Sequence, residues 1–116
     1  MYHGAHSKDQ VAVIQPSSYV LTCVLQLPGC ITVLRVDNDP VALFDRAAEI
    51  LPGRHVVRLM RKTPNGWFRG DLILDAKEGH VYEADGDWTG FFSPEYWLWI
   101  VDLADNSIVA GERPPK

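Results

Sequence analysis

Between Glu49 and Asp85 the chain alternates apolar and polar residues in three runs, EILPGRHVVRLMR, WFRGDLILDA and KEGHVYEAD. A period of two places successive side chains on opposite faces of a pleated strand. The runs are rich in Val, Leu, Ile, Tyr and Trp, which suit a half-buried sheet surface. Pro52-Gly53, Pro64-Asn65-Gly66 and Glu78-Gly79 punctuate them. Proline presets φ for a turn, and glycine accepts the positive φ that a reversal needs. The pattern predicts an antiparallel meander.

The same reading extends to the rest of the chain. Val11–Gln15 predicts a short first strand and Pro16-Ser17-Ser18 a loop. Tyr19–Leu27 predicts a strand leading into the Pro28-Gly29 turn, and Ile31–Val36 a further strand before the Asp37-Asn38-Asp39-Pro40 turn. Val41–Ile50 admits two readings. Asp39 as N-cap with Pro40 at the first helical position would open a short helix. The extended reading is preferred, with Ala48–Leu51 as a strand pairing with His55–Met60. Asp85–Glu95 predicts a loop. Tyr96–Leu103 and Ser107–Ala110 flank Ala104-Asp105-Asn106, which has hairpin-turn chemistry. About seven to eight short strands at even spacing predict an all-β, single-domain antiparallel β-sandwich. Helix is confined to at most one short segment, between Pro40 and Ile50. Residues 1–10 form a lead-in, 11–111 the sandwich, and 112–116 a tail.

Composition narrows the function classes. A chain of 116 residues with 47% hydrophobic and 22% charged residues suits one globular domain. The net charge is −4, and Arg54, Arg58, Arg61, Lys62 and Arg69 are scattered among predicted strands. No basic footprint for nucleic acid results. No apolar run approaches the length of a membrane-spanning helix.

Few residues offer chemistry. His55 and His80 each follow a turn glycine, and a metal or proton site with Asp71, Asp75 or Glu78 is conceivable. Two histidines without a recognised ligand spacing are more simply structural. His3 and His6 have three-residue spacing, which suits adventitious chelation. The clusters Asp37-Asn38-Asp39 and Asp85/Asp87 lack the spacing of a calcium loop and read as turn chemistry. No serine lies in a nucleophile-elbow context, and no phosphate or dinucleotide fingerprint occurs. The expectation is a protein without enzymatic activity or cofactor.

The densest feature is aromatic. Trp88, Phe91, Phe92, Tyr96, Trp97 and Trp99 crowd twelve residues. Trp97 and Trp99 share one strand face, and Leu98 and Ile100 the other. The loop aromatics either close an open end of the sandwich or form a binding surface. Trp88, Phe91, Phe92 and Tyr96 are therefore the candidate partner-binding residues.

Cys23 and Cys30 lie seven positions apart around a turn. They can close a small disulfide loop or remain two buried thiols, and spacing alone leaves both open. Leu27-Pro28-Gly29-Cys30 loosely matches a lipoprotein-processing site. However, Gln26 and Cys23 would interrupt the apolar region, and cleavage there would discard the first strand.

ITVLRVDNDPV (31–41), EILPGRHVVRL (49–59) and LILDAKEGHVYEA (72–84) together resemble small bacterial envelope lipoproteins of uncharacterised function. The first part also resembles PEGA-type β-sandwich modules. Asn38 stands where that pattern usually has glycine, and asparagine also tolerates positive φ. The resemblance implies a location on the periplasmic side of the envelope, and a lipid anchor at the position now Met1. It also implies a Cys23–Cys30 disulfide, since the envelope is oxidising. On this reading the domain is a monomeric, non-enzymatic binding or structural module whose partner is an envelope protein or another envelope component. The alternative is a small-molecule or metal-binding protein, or an enzyme, using the sandwich interior or the His55/His80 region.

Overall fold

The structure, a computed structural model, describes residues 10–18, 20–25, 27, 29–41, 47–64, 66–90 and 94–115. Alternation builds the strands as the sequence suggests. β1 (Ala12–Pro16) buries every second residue, and so does the first part of β7 (Val81–Thr89). β2 (Ile31–Val36) and β3 (Asp39–Pro40) form a hairpin, as do the long β5 (Gly53–Thr63) and β6 (Gly66–Ala76). β4 is Ala48–Ile50, β8 Glu95–Asp102 and β9 Ser107–Gly111. Among the described residues nine strands make a five-stranded sheet, β4-β1-β7-β8-β9, and a four-stranded sheet, β3-β2-β5-β6. Ile14, Ile31, Val36, Val57, Leu59, Leu74, Tyr82 and Ile100 fill the space between them and are fully buried.

The fold is the all-β sandwich expected, with five differences in detail. β1 runs parallel to β7, from Val13 opposite Val81 to Pro16 opposite Ala84, so the sandwich is not wholly antiparallel. β4 pairs with β1 instead of β5. Leu51-Pro52 carries the chain from one sheet to the other, and Ala48 and Ile50 enter the core.

Tyr19–Leu27 is not a strand. Tyr19 lies outside the described residues, and Val20–Val24 form a one-turn helix, α1, which is also outside the segment where helix was expected. Both neighbours of β2 are taken by β3 and β5, so no edge is free for another strand there. The segment must instead carry the chain from the end of β1 to the start of β2. Cys23 on α1 is disulfide-bonded to Cys30, with a Cα–Cα distance of 4.9 Å. The Ser18 hydroxyl donates to the Ile31 carbonyl (3.0 Å) and accepts from the Ile31 N–H (3.1 Å), closing the same junction.

Two turns also differ. The residue with positive φ after β2 is Asp37 (φ 54°), not Asn38. The expected loop at 85–95 is shorter, because β7 continues to Thr89 and pairs with β8 up to Glu95. Trp88 is therefore a strand residue opposite Tyr96. The hairpin expected at Ala104-Asp105-Asn106 is present, with Asn106 at φ 60°.

Candidate functional site: the aromatic end of the sandwich

Strand parity brings several aromatic and cationic side chains to one end of the molecule. On β5, Val57, Leu59 and Arg61 share the parity that faces the other sheet, and Val57 and Leu59 are core residues. Arg61 thus continues the core-facing row. Its backbone pairs with Phe68 of β6. The ring of Phe68 lies 4.6 Å from that of Tyr96 on β8, at a tilt of 31°. Tyr96 is nevertheless 47% exposed, whereas Trp88 beside it is half-buried. The Trp97 indole N–H donates to the Thr89 hydroxyl at 3.1 Å, fixing the hairpin end. Phe91 and Phe92 lie outside the described residues.

Arg61 is weakly held for so enclosed a charge. Its side chain is 14% exposed, and one terminal nitrogen is 3.9 Å from the Asp87 carboxylate. Another donates to the Lys62 carbonyl at 3.4 Å. Nε is buried without a hydrogen-bond partner among the described residues. The aliphatic stem lies over Gly86, where a Cβ would come within 3.0 Å of the arginine Cδ and 2.8 Å of Leu98. Glycine suits this close approach, and its φ is not positive. Sequence reading missed Arg61, although its parity with Val57 and Leu59 was the available signal.

The two histidines do not form a shared site. His55 on β5 has Nδ1 2.7 Å from Asp37 Oδ2 and Nε2 2.6 Å from the Leu51 carbonyl. The Val56 N–H donates to Asp37 Oδ1 at 2.9 Å. Burial acts to raise the Asp37 pKa, but the hydrogen bonds from His55 and Val56, with the His55 charge, outweigh it and hold the carboxyl below its ordinary value. His80 lies in the turn just before β7 of the other sheet. Its Nδ1 is 2.7 Å from Asp102 Oδ2, and Asp102 Oδ1 accepts from the Ala104 N–H at 3.0 Å. The Tyr82 ring stacks near His80, with centroids 6.2 Å apart. The Tyr82 hydroxyl accepts from the Lys77 N–H, while burial pushes its pKa up.

The partners are thus Asp37 and Asp102, not Asp71, Asp75 or Glu78. Asp71 instead takes two hydrogen bonds from Arg58. Among the described residues no group of three or more His, Cys, Asp or Glu could hold a metal ion; His3 and His6 lie outside them. Asp85 and Asp87 each accept from the next backbone N–H at 2.8 Å. A shallow polar depression of about 110 Å³ is lined by Arg35, Asp37, Asn38, Val56, Arg58 and Asp71. Its charges are engaged within the chain, since Arg58 pairs with Asp71, Asp37 with His55, and Arg35 donates to the Asn38 carbonyl.

The fold and this end surface define a disulfide-containing β-sandwich domain. No protein-family model, curated protein or solved structure matches the chain.

Proposed function

We propose that the chain is a non-enzymatic binding module on the periplasmic side of the bacterial envelope. The exposed Tyr96, in tilted ring contact with Phe68, whose backbone pairs with that of the enclosed Arg61, carries the reading of the binding surface. Aromatic residues and arginine give large contact area and charge-assisted hydrogen bonds, and both are frequent at binding hot spots. The terminal nitrogens of Arg61, held only at 3.4 Å by the Lys62 carbonyl and at 3.9 Å by Asp87, have donor capacity left for a partner's oxygen. The envelope location rests on the resemblance, and the Cys23–Cys30 bond supports it, because disulfides persist in oxidising compartments. The partner is an envelope protein or another envelope component.

A photo-crosslinking residue at position 96, in protein produced from the gene with its natural upstream sequence, tests the surface. Adducts are expected from position 96 and not from position 109, an exposed site on β9. Equal labelling at both positions, or none at 96, ends the proposal for this surface. Fractionation of the same cells tests the compartment separately. The alternative, small-molecule or metal binding, has the Arg35/Arg58 depression as its best candidate, and the mutual pairing of those charges makes it the weaker reading.

A further inference from the structure

β6 is an edge strand, and unlike the other edges it is long. β3, β4 and β9 have two, three and five residues, whereas β6 has eleven. All eleven pair with β5 in continuous register, with no bulge. Among the described residues no other strand pairs with it. Thr63 and Gly66 close the hairpin across a two-residue loop, so they are a hydrogen-bonded pair. Hydrogen-bonded and non-bonded pairs alternate along an antiparallel ladder. The peptide groups of Gly66, Phe68, Gly70, Leu72, Leu74 and Ala76 therefore face β5. Those of Trp67, Arg69, Asp71, Ile73 and Asp75 face the open edge. Long open edges template pairing with another chain.

The sequence of this edge is symmetric in chemistry about Gly70: Trp67-Phe68-Arg69-Gly70-Asp71-Leu72-Ile73. We propose that β6 pairs antiparallel with β6 of a second copy across a twofold axis at Gly70, joining two four-stranded sheets edge to edge. In that register Arg69 lies opposite the partner's Asp71, Trp67 opposite the partner's Ile73, and Phe68 opposite the partner's Leu72, each twice. The outward peptide groups of one copy meet those of the other, as a ladder requires. Shifting the axis to Arg69 or Asp71 would set like charges directly opposite, which is unfavourable. The side chains on the outward face of β6 are exposed to a second copy. Trp67 and Ile73 are 38% and 49% exposed, and Arg69 and Asp71 are exposed. Arg69 has no ion-pair partner among the described residues. Asp71 already binds Arg58, but a carboxylate has room for a further donor. The dimer departs from the monomer expected on sequence grounds.

Sedimentation equilibrium of the intact chain tests the pairing. The wild type should have about twice the chain mass of 13.0 kDa. Arg69→Asp and Asp71→Arg should each be monomeric, because their homodimers oppose like charges. Mixed in equal amounts they should recover the doubled mass, since every Asp then faces an Arg. Ile73→Pro removes an outward N–H without touching the β5 ladder and should also be monomeric, which covers the case of Asp71→Arg failing to fold. A monomeric wild type, or dimers that persist in Arg69→Asp and Ile73→Pro, overturns the proposal.

Discussion

His80 Nδ1 sits 2.7 Å from Asp102 Oδ2, tying the turn before β7 to the end of β8. Asp102 is only 8% exposed and also caps the Ala104 N–H. Removing its carboxylate leaves two donors short of a partner. Asp102→Ala should therefore destabilise the fold by about 1–3 kcal/mol, the usual cost of stranding enclosed polar groups. Urea denaturation measures this directly. A change below about 0.5 kcal/mol would place the pair among surface contacts instead.

The Asp37–His55 pair predicts an acid-sensitive contribution to stability. The folded-state pKa of Asp37 is below its ordinary 3.8. The unfolded chain therefore takes up the proton first as pH falls. The contribution is fully present above the ordinary value and is lost as pH drops through the lowered folded one. Asp71 and Asp105 are shifted the same way by Arg58 and Ser107, so the whole domain is expected to weaken in that range. Comparing Asp37→Asn with wild type isolates the Asp37 part. The gap between their unfolding free energies should narrow from neutral pH toward about pH 3. A constant gap refutes the assignment.

The Cys23–Cys30 bond closes a short loop between α1 and β2. The chain-entropy estimate for such a loop is about 2.5 kcal/mol. Cys23→Ser/Cys30→Ser should lower the unfolding free energy by an amount of that order. Under non-reducing conditions the wild type should show no thiol open to alkylation. Two alkylated cysteines in the folded, oxidised protein would contradict the pairing.

What the sequence disclosed follows from how local its signals are. β5 and β6 were legible because alternation and the Pro-Gly and Pro-Asn-Gly turns act within a few residues. The parallel pairing of Val13 with Val81 has no local signature. Neither has the choice of Asp37 for His55, 18 residues away, or of Asp102 for His80, 22 residues away. Strand propensity in Val20–Val24 yielded to topology, since the edges of β2 were occupied. Gly86, Gly90 and Pro94 favour a loop over 85–95, which would include Trp88, whereas Gly86 and Trp88 lie in β7, Gly86 under the Arg61 stem. The aromatic end was visible as composition; the enclosed cation within it required the parity of β5 to be set against a facing sheet.

Arg61 gives a test that separates folding from binding. An enclosed arginine held by one carbonyl and a distant carboxylate contributes little to stability. Replacing buried charges with apolar side chains of similar volume is often neutral or stabilising by about 1–4 kcal/mol. Arg61→Met keeps the unbranched stem over Gly86 and removes the orphaned Nε, so its melting temperature should equal or exceed that of the wild type. Tyr96→Ala removes an exposed ring and one aromatic contact with Phe68, and should cost no more than about 1.5 kcal/mol. If this end contacts a partner, both variants should lose the crosslinks formed from a photoreactive residue at position 88 while remaining folded. If Arg61 only supports the fold, Arg61→Met will melt well below wild type. Such a result would assign Arg61 to structure and remove the charged half of the proposed surface.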